Sequence, residues 1–416
     1  MAYKELRELY YGHEEDYAQE YLNRFQSEDA VKIDFYIGSN QAFFLQNAEV
    51  MSLAYKIAKL DKDINILCRN LPIVALNQYS RKCLIDEIVL TNKIEGVHSS
   101  RKEIREALDI LENQSKEKKG KSSRFVGLVN KYLKLMDSEE IALQSCEDLR
   151  KAYDEIFLEE VLYEDPTNKP DGKLFRKNSV SVYSETGKEI HKGLMPEEKI
   201  IEAVDHALRF FNDETVDKLF RVCVFHYLIE YIHPFYDGNG RMGRFILSYG
   251  ISNTLTSLIA FRISETIKEN ISAYYKAFKT CNAQQNLGDV TPFLIMQLTM
   301  ILKAMGDLKT SLQERRATWD KYESAAQQYL EGKEKLTALY SILIQASLFS
   351  EMGIAMDELE TVMEKKRNTI KKLMEEIPSD LISVKKKGHN KYYSIDLDKL
   401  DADILNGSLQ KIREAE

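Results

Sequence analysis

Residues 233–244 read His233-Pro234-Phe235-Tyr236-Asp237-Gly238-Asn239-Gly240-Arg241-Met242-Gly243-Arg244, and the segments flanking them decide the fold. Upstream, Thr215 to Ile232 is nearly continuously apolar (Leu219, Phe220, Val222, Cys223, Val224, Phe225, Leu228, Ile229), which predicts a central buried helix. Pro234 disfavours helical backbone at His233, so the helix stops there with an imidazole projecting from its end. Gly238 and Gly240 permit backbone angles that other residues avoid, and successive N–H groups can turn inward as an anion-binding nest. The next helix starts near Arg241 and points its positive dipole end at the same spot. A phosphate chain is the natural occupant. A plain Gly-rich turn between helices would leave the His, the Asp and both Arg unexplained.

Each polar side chain has work to do at such a site. His233 has the ordinary pKa to accept a proton from an attacking hydroxyl at neutral pH. Asp237 is a hard oxygen ligand suited to Mg²⁺ or Mn²⁺. Asn239 can hydrogen-bond a phosphate oxygen, and Arg241 and Arg244, three apart on the new helix, can converge on one ligand. The run matches His-x-Phe-x-(Asp/Glu)-Gly-Asn-Gly-Arg-x-x-Arg at every specified position, and the chain thereby resembles the Fic family. The resemblance implies an adenylyltransferase that moves AMP from ATP to a Ser, Thr or Tyr hydroxyl of a protein, including itself. It also implies His233 as base, Asp237 as metal ligand, and Gly238, Asn239 and Gly240 as the α-phosphate cradle. Arg241 joins the phosphate site, and Arg244 clamps the γ-phosphate.

A shorter signal lies upstream. Thr91-Asn92-Lys93-Ile94-Glu95-Gly96 closes a helical stretch containing Leu84, Ile85, Ile88, Val89 and Leu90. Thr91 and Glu95 share a face, and Gly96 supplies a left-handed cap. A carboxylate in a last helical turn sits at the wrong end of the dipole and asks for a cation. The segment resembles the Fic inhibitory motif (Ser/Thr)-x-x-x-Glu-(Gly/Asn), which implies that Glu95 pairs with Arg244 and denies it to ATP. Removal of AMP with help from the same Glu is left open.

Between the two signals, Ser179-Val180-Ser181-Val182-Tyr183 alternates apolar and small polar residues ahead of Thr186-Gly187, predicting a short β-hairpin. By resemblance it is a flap whose edge pairs with an extended target segment and presents its hydroxyl.

The remaining limits come from composition. The chain has 416 residues, enough for two or three domains, and its net charge of −8 argues against nucleic acid as the default partner of the whole protein. No apolar run reaches bilayer length and the first residues lack a signal-peptide core, so a cytoplasmic protein without membrane contact is expected. Cys68, Cys83, Cys146, Cys223 and Cys281 are scattered and read as reduced thiols. His13, His98, His191, His206, His226 and His389 form no ligand pattern.

The expected fold is mainly α: a Fic-type helical bundle with a β-hairpin flap, plus a small C-terminal winged-helix domain. The domains are read as 1–120 (a helical region carrying the inhibitory motif), 121–310 (core with flap), 311–332 (helical linker) and 333–416 (winged helix). In the last of these, helices at Leu336–Phe349, from Ala355 and behind a cap at Asn368 precede a hairpin around Lys385-Lys386-Lys387-Gly388-His389-Asn390. Its basic residues (Lys365, Lys366, Arg367, Lys371, Lys372 and the lysines of the wing) are the footprint of a duplex DNA contact, with protein docking as the other use of such a module. The alternative function is therefore a DNA-binding regulator whose Fic domain senses nucleotide or modifies its own chain. Transfer of another phosphate-containing group is a narrower rival. The target, the releasing signal and homo-oligomer formation are left open.

Overall fold

A computed structural model describes residues 3–12, 14–112, 124–136, 139–183, 189–387 and 390–405. The polar stretch 113–123, the flap turn with Thr186-Gly187, and Gly388-His389 of the wing lie outside the described residues. The chain forms two compact units, Met1–Lys62 with Leu84–Gly306, and Asp63–Cys83 with Asp307–Glu416.

The first unit opens with α1 (Leu6–Gly12), α2 (Glu14–Phe25) and a hairpin of β1 (Ala30–Ile37) and β2 (Asn40–Leu45). This hairpin adds to the helices expected there. Its signal is period-two burial, with Ile33, Phe35 and Ile37 inward, followed by a turn at Gly38. Next come α3 (Ala48–Arg69) and α4 (Ile73–Ile94), counted in this unit through Lys62 and from Leu84 onward. α5 (Arg101–Glu112) starts behind a capping box: Ser100 Oγ accepts from Glu103 N at 3.2 Å, and Glu103 Oε2 accepts from Ser100 N at 2.9 Å. α6 (Val126–Met136) and α7 (Cys146–Tyr153) follow; Asp154–Leu158 is then a single π-helical turn before α8 (Glu159–Glu164). The flap strands β3 (Ser181–Tyr183) and β4 (Glu189–Lys192) pair antiparallel with Val182 opposite His191.

The site is carried by α9 (Glu197–Phe211), α10 (Lys218–Ile232), α11 (Asn239–Ser252), α12 (Ile263–Glu269), α13 (Ile271–Cys281) and the start of α14 (Thr291–Tyr329). α10 is buried on nearly every face, as its unbroken apolar run requires. Each buried Leu, Val or Phe contributes roughly 1.5–3 kcal/mol relative to exposure. α10 and α11 approach so closely that a Cβ on Gly250 would collide with Val222. Dense packing of this kind leaves the loop between the two helices little freedom.

The second unit has its own core, in which Trp319, Leu336, Leu343, Leu359, Ile370 and Leu381 are buried. It contains α15 (Glu334–Phe349), β5 (Ile354–Ala355), α16 (Met356–Met363), α17 (Arg367–Glu375), β6 (Ile382–Lys387), β7 (Asn390–Ile395) and α18 (Leu397–Leu405). The strands form one sheet in the order β5-β7-β6. Residues 63–83 also belong to this unit, where Val74 packs on its core and Tyr79 meets Phe349 edge-on. Two sequence expectations shift. α17 is not capped by Asn368; it begins at Arg367, whose N–H donates to Glu360 Oε1 at 2.7 Å. The helical linker expected at 311–332 has no start of its own but continues α14 through Gly306, because a lone interior Gly costs a helix only about 1 kcal/mol and no proline interrupts it. Among the described residues no helix is long and apolar enough to cross a membrane.

Candidate active site

α10 ends at Ile232, and His233 takes the left-handed conformation at φ 54°, its N–H still donating to Ile229 O at 2.9 Å. A non-glycine residue held there stores of order 1 kcal/mol or more of strain and needs outside support. The loop beyond is closed by Asn239, whose Oδ1 accepts from Phe235 N at 2.9 Å and whose Nδ2 donates to Phe235 O at 2.8 Å. Its carboxamide is thus spent on the loop itself. Phe235 is buried, and its ring stacks on Tyr153 with centroids 3.6 Å apart. Tyr153 in turn donates its hydroxyl to Asp237 O at 2.9 Å. Gly238 sits at φ 83°, where side chains are disfavoured, and hands the chain to the first turn of α11.

A cavity of about 360 Å³ opens at this point, lined by His233, Gly240, Arg244, Glu95, Glu230, Val182 and His191. Tyr274, Tyr275 and Phe278 of α13 form an aromatic wall. Burial presses the His233 imidazole down to about 4, opposed by Glu95 and reinforced by His191 and Arg176. The ring is therefore neutral at ordinary pH, the state a base requires.

The two signature arginines part company. Arg241 is buried against Glu160, to which Nη1 donates, and its Nη2 lies 3.4 Å from Asp237 Oδ2. Arg244 is gripped by the last turns of α4: Nε donates to Thr91 Oγ1 at 2.8 Å, and Nη2 to Thr91 O at 3.2 Å and Glu95 Oε1 at 2.8 Å. Burial pushes the Glu95 carboxyl up, but the charge and hydrogen bond of Arg244 outweigh it, and the net shift is downward. A Cβ on Gly240 would collide with the Glu95 carboxylate. Glu95 therefore stands over the N-terminus of α11, where a phosphate would be drawn. Asp237 keeps 35% of its side chain exposed, with Oδ1 accepting from Gly238 N at 2.6 Å.

The Fic/DOC family model matches residues 145–249, a span from the cap of α7 through the flap and the whole signature. The chain is 43% identical over 54 residues to a probable protein adenylyltransferase of Aquifex aeolicus (strain VF5), covering 13% of this chain and 17% of that protein. It is 31% identical over 100 residues to protein adenylyltransferase fic-1 of Caenorhabditis elegans, covering 23% and 18% respectively. It thus spans less than a fifth of either relative. A crystal structure of a Fic family protein from Desulfovibrio desulfuricans G20 shares the fold at 19% identity and a TM-score of 0.50, covering 84% of this chain and 96% of that one. Residues 145–249 form a Fic domain.

The Fic signature and the Glu95 segment come together although they are far apart in sequence, whereas Arg241 faces Glu160 rather than the cavity wall. Ser181 and Val182 lie on the flap strand, Ser179 and Val180 lead into it, and Tyr183 ends it. Val182 lines the cavity. Several site residues escaped the sequence reading. Glu230 is one: its Oε2 lies 4.0 Å from His233 Nδ1, and burial, with Glu95 adding, pushes it up to about 8. A lone acid in the apolar run of α10 was its available signal. His191 accompanies it, with Nε2 2.6 Å from Tyr231 O and its ring on the cavity. Glu160, Arg176 and the α13 aromatics carried no local mark.

Proposed function

We propose that this Fic protein transfers AMP from ATP to a protein hydroxyl and restrains itself through Glu95. The observation that carries the reading is convergence: a neutral His233, the N-terminus of α11 and the Arg244 guanidinium all meet one cavity with an aromatic wall. The wall of Tyr274, Tyr275 and Phe278 suits a nucleobase, and the helix N-terminus suits the α-phosphate. The target hydroxyl oxygen attacks the α-phosphorus, and the bond from that phosphorus to the β-bridging oxygen breaks. His233 takes the hydroxyl proton, and pyrophosphate leaves.

Asp237 fits a metal held by one carboxylate and completed by nucleotide phosphates and water, since its carboxylate is partly exposed beside the phosphate nest. Bound Mg²⁺ or Mn²⁺ would neutralise charge on the leaving pyrophosphate. Glu95 restrains the reaction in two ways, by occupying the guanidinium that would hold the γ-phosphate and by placing its own negative charge over the phosphate site. Whether the same Glu also supports AMP removal is a separate branch of this reading.

The deciding experiment incubates the purified protein with α-labelled ATP, Mg²⁺ and cell lysate. Proteins carrying the mass of AMP support the reading; no label on any protein from either wild type or Glu95→Gly overturns it.

A second reading has its own observation. Lys365, Lys366, Lys371 and Lys372 on and before α17, with Lys385 and Lys386 on β6, are all exposed in a unit where α15, α16 and α17 precede the β6–β7 hairpin. We propose that this winged-helix-like unit contacts duplex DNA through phosphate charge.

A further inference from the structure

Arg176 is fully buried, yet among the described residues every acceptor of its guanidinium is a main-chain carbonyl. Nε donates to His233 O at 2.8 Å, and Nη1 to Asn178 O at 2.7 Å. Nη2 donates to Leu194 O at 2.9 Å and, weakly, to Ile232 O at 3.5 Å. Asn178 lies just before the first flap strand, and Leu194 just after the second. One planar fork thus joins both roots of the flap to the residue that carries the base. Backbone bonds run the same way: Leu194 N donates to Ile232 O at 3.1 Å, and Arg176 N to Pro234 O at 3.3 Å. Gly193 is packed against this fork, and a Cβ there would collide with Arg176 Nη2 and press on His233 Cβ at 3.0 Å.

We infer that Arg176 is a positioning residue that holds His233 in its left-handed conformation and sets the flap on the same mount. The hydroxyl presented by the flap and the imidazole that takes its proton then keep a fixed relation. Lysine cannot replace it, because a single ammonium cannot span carbonyls on three sides in one plane. The inference rests on the transfer reaction proposed above, and a misplacement near 1 Å costs about 10²-fold in rate.

The test introduces Arg176→Lys into the Glu95→Gly protein and reads three quantities: kcat, ATP affinity and amide hydrogen exchange. Expected are a kcat about 10–100-fold lower per folded molecule, ATP affinity within about 3-fold, and faster exchange at Leu194 and His233 together. Unchanged kcat, or faster exchange at only one of the two amides, overturns the inference. Should the Glu95→Gly parent transfer no AMP, the reaction reading fails, and exchange alone then decides the mount. Should Arg176→Lys fail to fold, Gly193→Ala is measured in its place against the same outcomes.

Discussion

Arg244 Nη2 lies 2.8 Å from Glu95 Oε1, with 1% of the arginine side chain exposed and 27% of the glutamate's. The two partners are unequally anchored. Arg244 keeps both Thr91 contacts if the glutamate leaves, whereas Glu95 reaches in from the last residues of a helix end capped by Gly96 at φ 74°. Glu95→Gly should therefore raise AMP transfer, most visibly as self-modification. A charged hydrogen bond contributes about 1.5–3 kcal/mol, less for a partly exposed partner, so a gain of about 10–100-fold is expected. Arg244→Ala breaks the same contact and should give no gain, because the γ-phosphate clamp is gone. Equal or lower transfer by folded Glu95→Gly protein, measured with labelled ATP, removes Glu95 as a brake.

His233→Ala should lower transfer by about 10²–10⁴-fold while ATP binding stays near wild type. The pH profile carries a sign. Burial holds the imidazole near 4, so kcat/KM should fall only as pH drops toward that value and stay level from about pH 6 to 8. Glu95 raises this pKa, so the acid limb of Glu95→Gly should move lower still. An acid limb centred near the ordinary histidine value of about 6.5 would contradict the buried, neutral base.

Asp237→Ala should weaken the dependence on Mg²⁺ and leave folding intact, since the side chain is partly exposed. Titrating Mg²⁺ at fixed ATP checks this. An unchanged midpoint would take Asp237 out of the metal site.

Glu160→Ala should destabilise the first unit by about 3–5 kcal/mol, because it strands the Arg241 guanidinium in the interior. Denaturant unfolding followed by tyrosine fluorescence reads the loss. A change under about 1 kcal/mol would show that Arg241 finds Asp237 or water instead.

Replacing Lys385, Lys386 and Lys387 with Ala should weaken duplex DNA binding for all sequences and flatten its salt dependence. Fluorescence anisotropy at low and moderate salt is the measurement. No binding by the wild type at low salt would leave this unit as a protein-docking or structural module.

What could be read in advance was local. Pro234 halts α10, which ends at Ile232, and Glu95 and Arg244 meet as the paired motifs imply. Long-range partners were not legible. Nothing in Glu160 or Arg176 says which of many arginines or carbonyls it will meet, because only the packing of α8 and the flap roots on the signature loop brings them together. Pro234 predicts a helix stop but not the left-handed backbone at His233, which the surrounding hydrogen bonds select.

The π-helical turn at Asp154–Leu158 has a consequence for how this family fold tolerates length change. A wide turn holds one residue more than an α-turn, and each residue of a helix advances the facing direction by about 100°. Glu160 lies two residues beyond it, and its bearing on Arg241 depends on the wide turn absorbing that extra residue. Tightening 154–158 to an α-turn with all its residues kept would rotate the glutamate off its arginine by about 100°, whereas excising one residue at the same time would leave it in place. The wide turn keeps the helix in phase, and the signature helix is tuned to it.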